Sequence, residues 1–349
     1  MKLVDLRSDV KTLPSPGMLQ AISAARLGDE QAGEDPTVRE LEDELADLLG
    51  QETAIFVPSA TMANLIALLC QVRPGEEILG HEHSHLFRYE AGGGAALAGA
   101  VLTGLPGENG WFPGSLVRDS AQLTDSAHQP GTSLVAVENT HNTAGGRIWP
   151  LVQLKELYRS CNELGIPVHI DGSRLFNAAV ALGVPARQIT AGACTVTVCF
   201  SKGLGCPAGA ALVGQAGALE QGRRIKQMLG GSMRQAGILA AAALYALRHN
   251  ITRLAEDHGI ARTLALRLHN AGLPIDPAQV ETNIILLDLA GMGVERKAAL
   301  ARLAEAGVPW SNGHRPMVIR AVTHLGIPGG VINDAADRII RALRPEAEA

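Results

Sequence analysis

Aromatic side chains are scarce in this sequence: 3 Trp, 3 Tyr and 5 Phe among 349 residues. Any core must therefore be filled by aliphatic and small side chains, and 39 Gly add to the small ones. Basic charge is not in excess either. Thirty Lys+Arg against 35 Asp+Glu leave a net charge of −5, which argues against a nucleic-acid partner, because that binding rests on a basic stripe that displaces counterions. The longest nearly pure apolar stretch, 236–247, falls well short of the ~20 residues a bilayer-spanning helix needs, so no membrane partner is expected. The opening MKLVDLRSDV has no apolar signal region, and no secretion is expected. The five cysteines are odd in number and show no CxxC or Cys/His metal spacing. They read as reduced thiols of a cytoplasmic protein, with no metal site, and Cys194 and Cys199 are expected to be core packing. No GxGxxG follows the first strand and no GxxxxGK[ST] occurs, which disfavours dinucleotide and P-loop readings.

What is present is alternation. The runs 53–59, 133–140, 167–172, 195–202 and 208–214 are continuously apolar, as strands covered on both faces are. Helical periodicity lies between them. In 37–49 the residues Val38, Leu41, Leu45, Leu48 and Leu49 form one stripe, Asp35-Pro36 supply a start and Gly50 a stop. This order predicts an α/β fold with a mostly parallel central sheet flanked by helices. Near residue 250 the pattern changes. A long helix is expected over 236–256, then a helix (258–271), a strand (282–289), a helix (293–306), a strand (317–322) and a helix (331–344). Residues 1–250 are therefore expected to form a large domain and 251–349 a smaller α+β domain, with a cleft between them suited to a small molecule.

Three features carry chemistry. Lys202 ends an apolar strand and precedes GLGCPAGA. At the carboxyl edge of an open α/β sheet, where ligands bind, a partly desolvated amine can attack a carbonyl to form a Schiff base. Asp171, in PVHIDGSRL, ends another strand. A buried carboxylate needs a partner, and a pyridinium nitrogen is one; Arg174 or the cap of the next helix is another. Pro58-Ser59-Ala60-Thr61 lie at a strand-to-helix turn, where free backbone N–H groups bind phosphate, although Ser59 could equally serve as a simple cap. Phosphate turn, strand-end Asp and strand-end Lys, in that order, are the parts needed to hold pyridoxal 5′-phosphate.

On these residues the sequence resembles a known family. DLRSD (5–9), GEDPTVRELE (33–42), FVPSATMANLIAL (56–68), SHLFRYEAGG (84–93), VENTHN (137–142), HIDGSRLFNAA (169–179), SKGLGCPAGAALVG (201–214), GGSMRQAGILAAA (230–242), TNIILLDL (282–289) and RAVTHLGI (320–327) are similar in order and spacing to the low-specificity L-threonine aldolases. These are fold-type I pyridoxal-phosphate enzymes near the β-eliminating lyases. The resemblance implies that Lys202 carries the cofactor as a Schiff base and Asp171 holds its ring nitrogen. It further implies that His85 stacks on the ring and that Ser59, Ala60 and Thr61 hold the phosphate with help from Arg234. Ser8, Arg174 and Arg320 would bind the substrate carboxylate, a task for which the planar guanidinium fork is suited. His128 matches a histidine near the substrate hydroxyl, and His85, His128 or a held water would be the base. The implied assembly is a homotetramer of dimers with active sites at subunit interfaces, so that Arg234 could serve a neighbouring chain. The implied reaction cleaves L-threonine and related L-β-hydroxy-α-amino acids to glycine and an aldehyde.

The sequence also departs from the family pattern. Ala32 stands where an aromatic Tyr is usual, Ala60 replaces a Gly in the phosphate turn, Ser173 replaces an Ala, Lys226-Gln227 replace an Arg-Lys pair, and Ser232 replaces a Gly. None removes a reacting group. Ala32 and Gln227 bear on the preferred side chain, and the alternative is a related lyase acting on bulky, phenylserine-type substrates or by β-elimination.

Overall fold

The computed structural model describes residues 2–123 and 127–343. A seven-stranded sheet is built from β1 (Thr53–Val57), β2 (Glu77–His81), β3 (Val101–Leu105), β4 (Thr132–Glu138), β5 (Val168–Gly172), β6 (Thr195–Cys199) and β7 (Ala210–Gly214). Their order is β1-β7-β6-β5-β4-β2-β3. Only β7 runs antiparallel to its neighbours. The expected mostly parallel sheet is thus present, and the five expected strands are all in it. β2 and β3 were not expected. β2 is a short EILGH segment with polar ends, and β3 is an edge strand with Val101 exposed, so neither shows the continuous apolar run of a central strand.

Local chemistry sets the flanking helices. Helix Pro36–Leu49 starts where the Asp35 side chain accepts the N–H groups of Thr37 and Val38, and ends at Gly50 in the left-handed region (φ +63°). Of its five stripe residues Leu48 faces solvent, while the other four, Val38, Leu41, Leu45 and Leu49, are buried at no more than 3% exposed. Each such side chain contributes roughly 1.5–3 kcal/mol by leaving water. The single long helix expected over 236–256 is instead two, Gly237–His249 and Leu254–Asn270. The break falls at Asn250, whose side-chain amide turns inward to donate to Leu204 O at 2.7 Å, and Ile251-Thr252 beyond it are β-branched, weak helix formers. The helix stops where its terminal Asn is needed to brace the loop after Lys202.

A second, antiparallel sheet has the order β8-β10-β9, made of β8 (Ile284–Asp288), β9 (Ser311–Asn312) and β10 (Val318–Val322). Its core takes Leu264, Leu268, Ile285, Leu287, Ile319 and Ile339, and also Val4 and Leu6 from the N-terminus. The arm bonds to this unit through Val4 N to Gly307 O and Leu6 N to Pro309 O. It then crosses to the large sheet, carrying Ser8 and Asp9 between the two cores. Cys199 is in the core, as expected, but Cys194 is only half-buried, because it precedes β6 rather than lying within it. Among the described residues no helix is long and apolar enough to cross a membrane.

Candidate active site

The carboxyl ends of β4, β5 and β6 converge on one pocket of about 170 Å³, lined among others by Ser8, His85, Asp171, Arg174, Lys202 and Arg320. Six of the expected site residues therefore meet in space, drawn from the N-terminal arm, the large sheet and β10. Lys202 is not at a strand end, as the apolar run suggested: β6 stops at Cys199. Lys202 sits in the loop that follows, closed by Cys206 N to Phe200 O and Phe200 N to Gly209 O. Gly205 (φ +82°) and Gly209 (φ +108°) let that loop turn, in a region where a Cβ is strained. The half-buried Lys202 amine makes no hydrogen bond or ion pair among the described residues, so it is free to react.

Asp171 lies opposite β4 Glu138 and β6 Thr197 in register and is 3% exposed. Burial pushes its carboxyl up, but the charges of Lys202 and His85 and the Ser173 hydrogen bonds outweigh it, so the group is held below its ordinary value. Asp171 does not pair with Arg174. Behind it runs a buried chain whose direction is set. Asn64 Nδ2 donates to Asp171 Oδ2 (3.1 Å) and Glu90 Oε1 (2.7 Å). Asn64 Oδ1 must then accept from His169 Nε2 (3.1 Å), and His169 Nδ1 accepts from the Thr195 hydroxyl (2.9 Å). Gln71 Nε2 donates to that hydroxyl oxygen (2.9 Å). Burial holds His169 down to about 4, so it stays neutral and the chain keeps its sense.

Helix Ala60–Gln71 carries Asn64, and its first turn is the expected phosphate turn. Ser59 Oγ caps Met62 N and Ser59 O takes Ala63 N. The N–H groups of Ala60 and Thr61 remain available for an anion. The cap does not preclude an anion, since the Ser59 side chain serves only one of the orphan donors.

The guanidiniums differ more than their shared residue type suggested. Arg174 is already committed: Nε and Nη2 donate to Asp9 at 2.7 and 2.8 Å, both side chains being buried. Burial pushes Asp9 up, yet Arg174 and Lys202 draw it well below the carboxylate range. Arg174 keeps Nη1 for Asn142 Oδ1 (3.2 Å), which also accepts from Arg320 Nη1 (2.9 Å). Arg320 has no carboxylate partner among the described residues, its Nε is buried without a hydrogen bond, and burial plus the Arg174 charge bring it down to about 10. A half-buried cation that lacks an anion is a place for a substrate carboxylate.

His85 begins the short helix His85–Arg88. Its Nδ1 lies 2.9 Å from Glu90 Oε1 and its backbone N–H donates to Glu138 Oε2 at 2.6 Å. Burial lowers its ring, but Glu90, Asp171 and Glu138 raise it above the ordinary histidine value overall. His85, Glu90 and Asp171 place ligand-type atoms within 4.8 Å of one another; Asn64 and the His85–Glu90 contact already engage that cluster.

Five expected residues do not line this pocket: Ser59, Ala60 and Thr61, which begin the helix that carries Asn64, and Arg234 and His128. Arg234 is exposed and pairs with Asp29 (3.2 Å), and His128 is exposed on the segment before β4. The departures Ala32, Gln227 and Ser232 share a separate groove of about 610 Å³. There Gln31 Nε2 donates to Gln227 Oε1 (2.6 Å), and the buried Lys226 pairs with Glu30 (2.5 Å). Reading the sequence missed Asp9, Asn64, Glu90, Glu138, Asn142 and His169. Asp9, Glu90, Glu138, Asn142 and His169 stand inside the quoted blocks DLRSD, SHLFRYE, VENTHN and HIDGSR, so a polar residue beside an assigned one was the available signal.

This donor set fits pyridoxal 5′-phosphate: a free amine, a buried ionised carboxylate with a fixed backing chain, open N–H groups at a helix start, and an unpaired guanidinium. Comparison with known proteins agrees. A family described as β-eliminating lyase matches residues 5–291. The low-specificity L-threonine aldolase of Escherichia coli (strain K12) is 40% identical over 328 residues, 93% of this chain and 95% of the relative. Low-specificity L-threonine aldolase 1 of Arabidopsis thaliana is 39% identical over 331 residues, 93% and 92% of the two chains. The solved structure of Leishmania major threonine aldolase superposes with a TM-score of 0.83 at 19% identity, covering 97% of this chain and 99% of that one. The architecture is that of the fold-type I enzymes.

Proposed function

The chain belongs to the β-eliminating lyase family, and on that premise we propose that it is a pyridoxal-phosphate-dependent aldolase cleaving L-threonine, L-allo-threonine and related L-β-hydroxy-α-amino acids to glycine and an aldehyde. The observation that carries this reading is the pairing of a free Lys202 amine with the buried, ionised Asp171 across one pocket. The bound cofactor supplies an electron sink for the Cα–Cβ bond. The chain's residues do the rest. Lys202, the only described lysine lining the pocket, would hold the cofactor through its amine. Asp171 keeps the ring nitrogen protonated, aimed by Asn64 and His169. The N–H groups of Ala60 and Thr61, with Ser59, hold the phosphate, and His85 covers the ring.

Arg320, with Ser8 and Arg174 beside it, fixes the substrate carboxylate and so sets the torsion that presents the scissile bond. Arg174 acts mainly as a scaffold, since Asp9 already occupies its fork. The chain up to about residue 250 forms the cofactor domain, apart from the N-terminal arm that packs on the smaller domain, and the chain beyond 250 forms that smaller domain, which contributes Arg320. Arg234 and His128, exposed within one chain, serve the pocket of a neighbouring subunit in a cytoplasmic homotetramer of dimers. His85 or His128 takes the β-hydroxyl proton.

The test is direct. Borohydride should fix the cofactor on Lys202, and Lys202→Ala should abolish that fixation. Incubation with both threonine diastereomers and with phenylserine should release acetaldehyde and benzaldehyde. Ammonia with the matching 2-oxo acid, 2-oxobutyrate from threonine or phenylpyruvate from phenylserine, in place of aldehyde would overturn the aldolase reading in favour of elimination.

A further inference from the structure

Glu138 ends β4 beside Asp171 and lines the pocket, yet the roles assigned so far leave it unused. It is 5% exposed and has no Lys or Arg ion-pair partner among the described residues. Instead each oxygen accepts one backbone N–H: Oε2 that of His85 (2.6 Å) and Oε1 that of Asn142 (2.8 Å). The carboxyl thus ties the ring-covering histidine to the residue on which Arg174 and Arg320 converge.

His141 lies behind it, wholly buried, with Nε2 3.8 Å from Glu138 Oε2. Its tautomer follows from the donor inventory. The Thr143 hydroxyl has one proton and donates it to His83 O (3.0 Å), because a carbonyl only accepts. His141 Nδ1, 3.2 Å from the same oxygen, must therefore be the N–H donor. Nε2 is left as a bare lone pair, buried and without a hydrogen-bond partner, facing the carboxyl. The ring is held in place on another side by Gly110, where a Cβ would come within 2.1 Å of His141 Cγ. His141 lines not the pocket but a second cavity of about 510 Å³, which Thr143 and His83 also line.

We propose that Glu138 and His141 form a proton-holding pair: the carboxyl takes up and returns a proton at the wall of the active-site pocket, and the Thr143-locked imidazole favours the protonated form by turning a lone pair, not an N–H, toward it at 3.8 Å. A lone pair opposite a carboxyl stabilises the O–H form and opposes the carboxylate. The groups facing Glu138 from other elements work in both directions. Burial and the Asp171 charge on β5 push it up, while His85 and the two backbone N–H groups draw it down, leaving it at about 7. Arg174 also lies within its field. His141 itself is pushed down to about 4 by burial and His83, so it stays neutral beside the proton it helps to hold.

The inference rests on the proposed aldol reaction for its purpose. As the Cα–Cβ bond breaks, the O–H bond of the β-hydroxyl breaks too and one proton must be kept; Cα then takes up one proton to give glycine. Once His85 or His128 has removed that proton, Glu138 receives it, changing from carboxylate to O–H, and gives it up again for Cα, so protons balance over the cycle. A group that titrates near the working pH can do both. Both backbone clamps survive the change, since a protonated carboxyl still accepts at each oxygen. Glu138 is thereby a proton holder behind the reacting groups, and His141 a positioning residue.

The experiment is an NMR titration of the holoenzyme labelled with [δ-13C]Glu and 15N-His, the Glu138 signal being assigned by its loss in Glu138→Asp. Glu138 should titrate near pH 7, and His141 should show Nδ1–H with Nε2 shifting in step. Thr143→Val removes the oxygen that locks the tautomer and lets Nε2–H face the carboxylate. The Glu138 midpoint should then fall by about one pH unit, a tenfold loss of proton affinity, and the acid limb of kcat/KM should move with it. A Glu138 midpoint near the ordinary value of about 4.3, a His141 proton on Nε2 in the parent protein, or an unmoved midpoint in Thr143→Val would overturn the pair. The titration needs no substrate. A protein that titrates as expected but releases no aldehyde would leave the pair standing and remove the reaction assigned to it.

Discussion

Asn64→Leu is the most informative single change. Leucine keeps the same number and branching of heavy atoms and removes both polar ends of the link between Asp171 and His169. Two effects separate cleanly. In the apoprotein, Glu90, Asp171 and the His169 N–H each lose a buried partner, at a cost of about 1–3 kcal/mol per group. In the holoprotein, Asp171 loses a donor that stabilises its charged form. A hydrogen bond to a charged group is worth roughly 1.5–3 kcal/mol, and each 1.4 kcal/mol is about tenfold in affinity. Cofactor affinity should therefore fall by about 10- to 100-fold beyond what lower stability explains. The assay is absorbance titration of the apoprotein with cofactor, at a temperature where circular dichroism shows the variant fully folded. Cofactor affinity equal to that of the parent in a folded variant would refute the view that the buried chain behind Asp171 maintains its charge.

Arg320→Gln should weaken glycine binding by roughly 10-fold or more, since a charge-assisted contact is lost. The unliganded variant should at the same time melt no lower than the parent, because an unpaired half-buried charge is removed; unchanged glycine affinity would exclude Arg320 as the carboxylate anchor. Asp9→Asn leaves Arg174 buried and uncompensated and should cost about 3–5 kcal/mol in denaturant unfolding, so a loss under 1 kcal/mol would show that Arg174 relaxes to another anion. For acid stability, His141, His169, His258 and His314 are all held down to about 4. They are neutral when folded and protonated when unfolded between there and the ordinary histidine value, so stability falls as pH drops through that window. Glu138, at about 7, and Asp257, at about 6, act with the opposite sign. Four histidines against two carboxyls leave about two protons taken up on unfolding, about 2.7 kcal/mol per pH unit. Urea midpoints that do not fall between pH 6 and pH 5 would contradict these burial effects.

Much of this protein was legible along the chain. Apolar runs announced β1, β4, β5, β6 and β7, because strands covered on both faces must be apolar throughout. Asp35-Pro36 and Gly50 announced the bounds of one helix, because caps are local chemistry. Lys202, Asp171 and the Ser59–Thr61 turn could be singled out because each breaks the pattern of its surroundings at a strand end or helix start. Other features were not legible, for one recurring reason. The split of the 236–256 helix depends on Asn250 reaching Leu204 O, 46 residues away in sequence. That Arg174 is occupied and Arg320 is not depends on Asp9 arriving with an N-terminal arm anchored on the far domain. The bare Nε2 of His141 depends on where one threonine proton goes.

The sequence by itself determined the alternation of strands and helices, the residue types at the sheet edge and the absence of basic, dinucleotide and P-loop signatures. Those properties follow from short-range periodicity and capping. Only the tertiary structure decided which charges are paired, which stand alone and which are kept neutral, because pairing and desolvation are properties of contacts between distant segments and have no counterpart in the linear order of the chain.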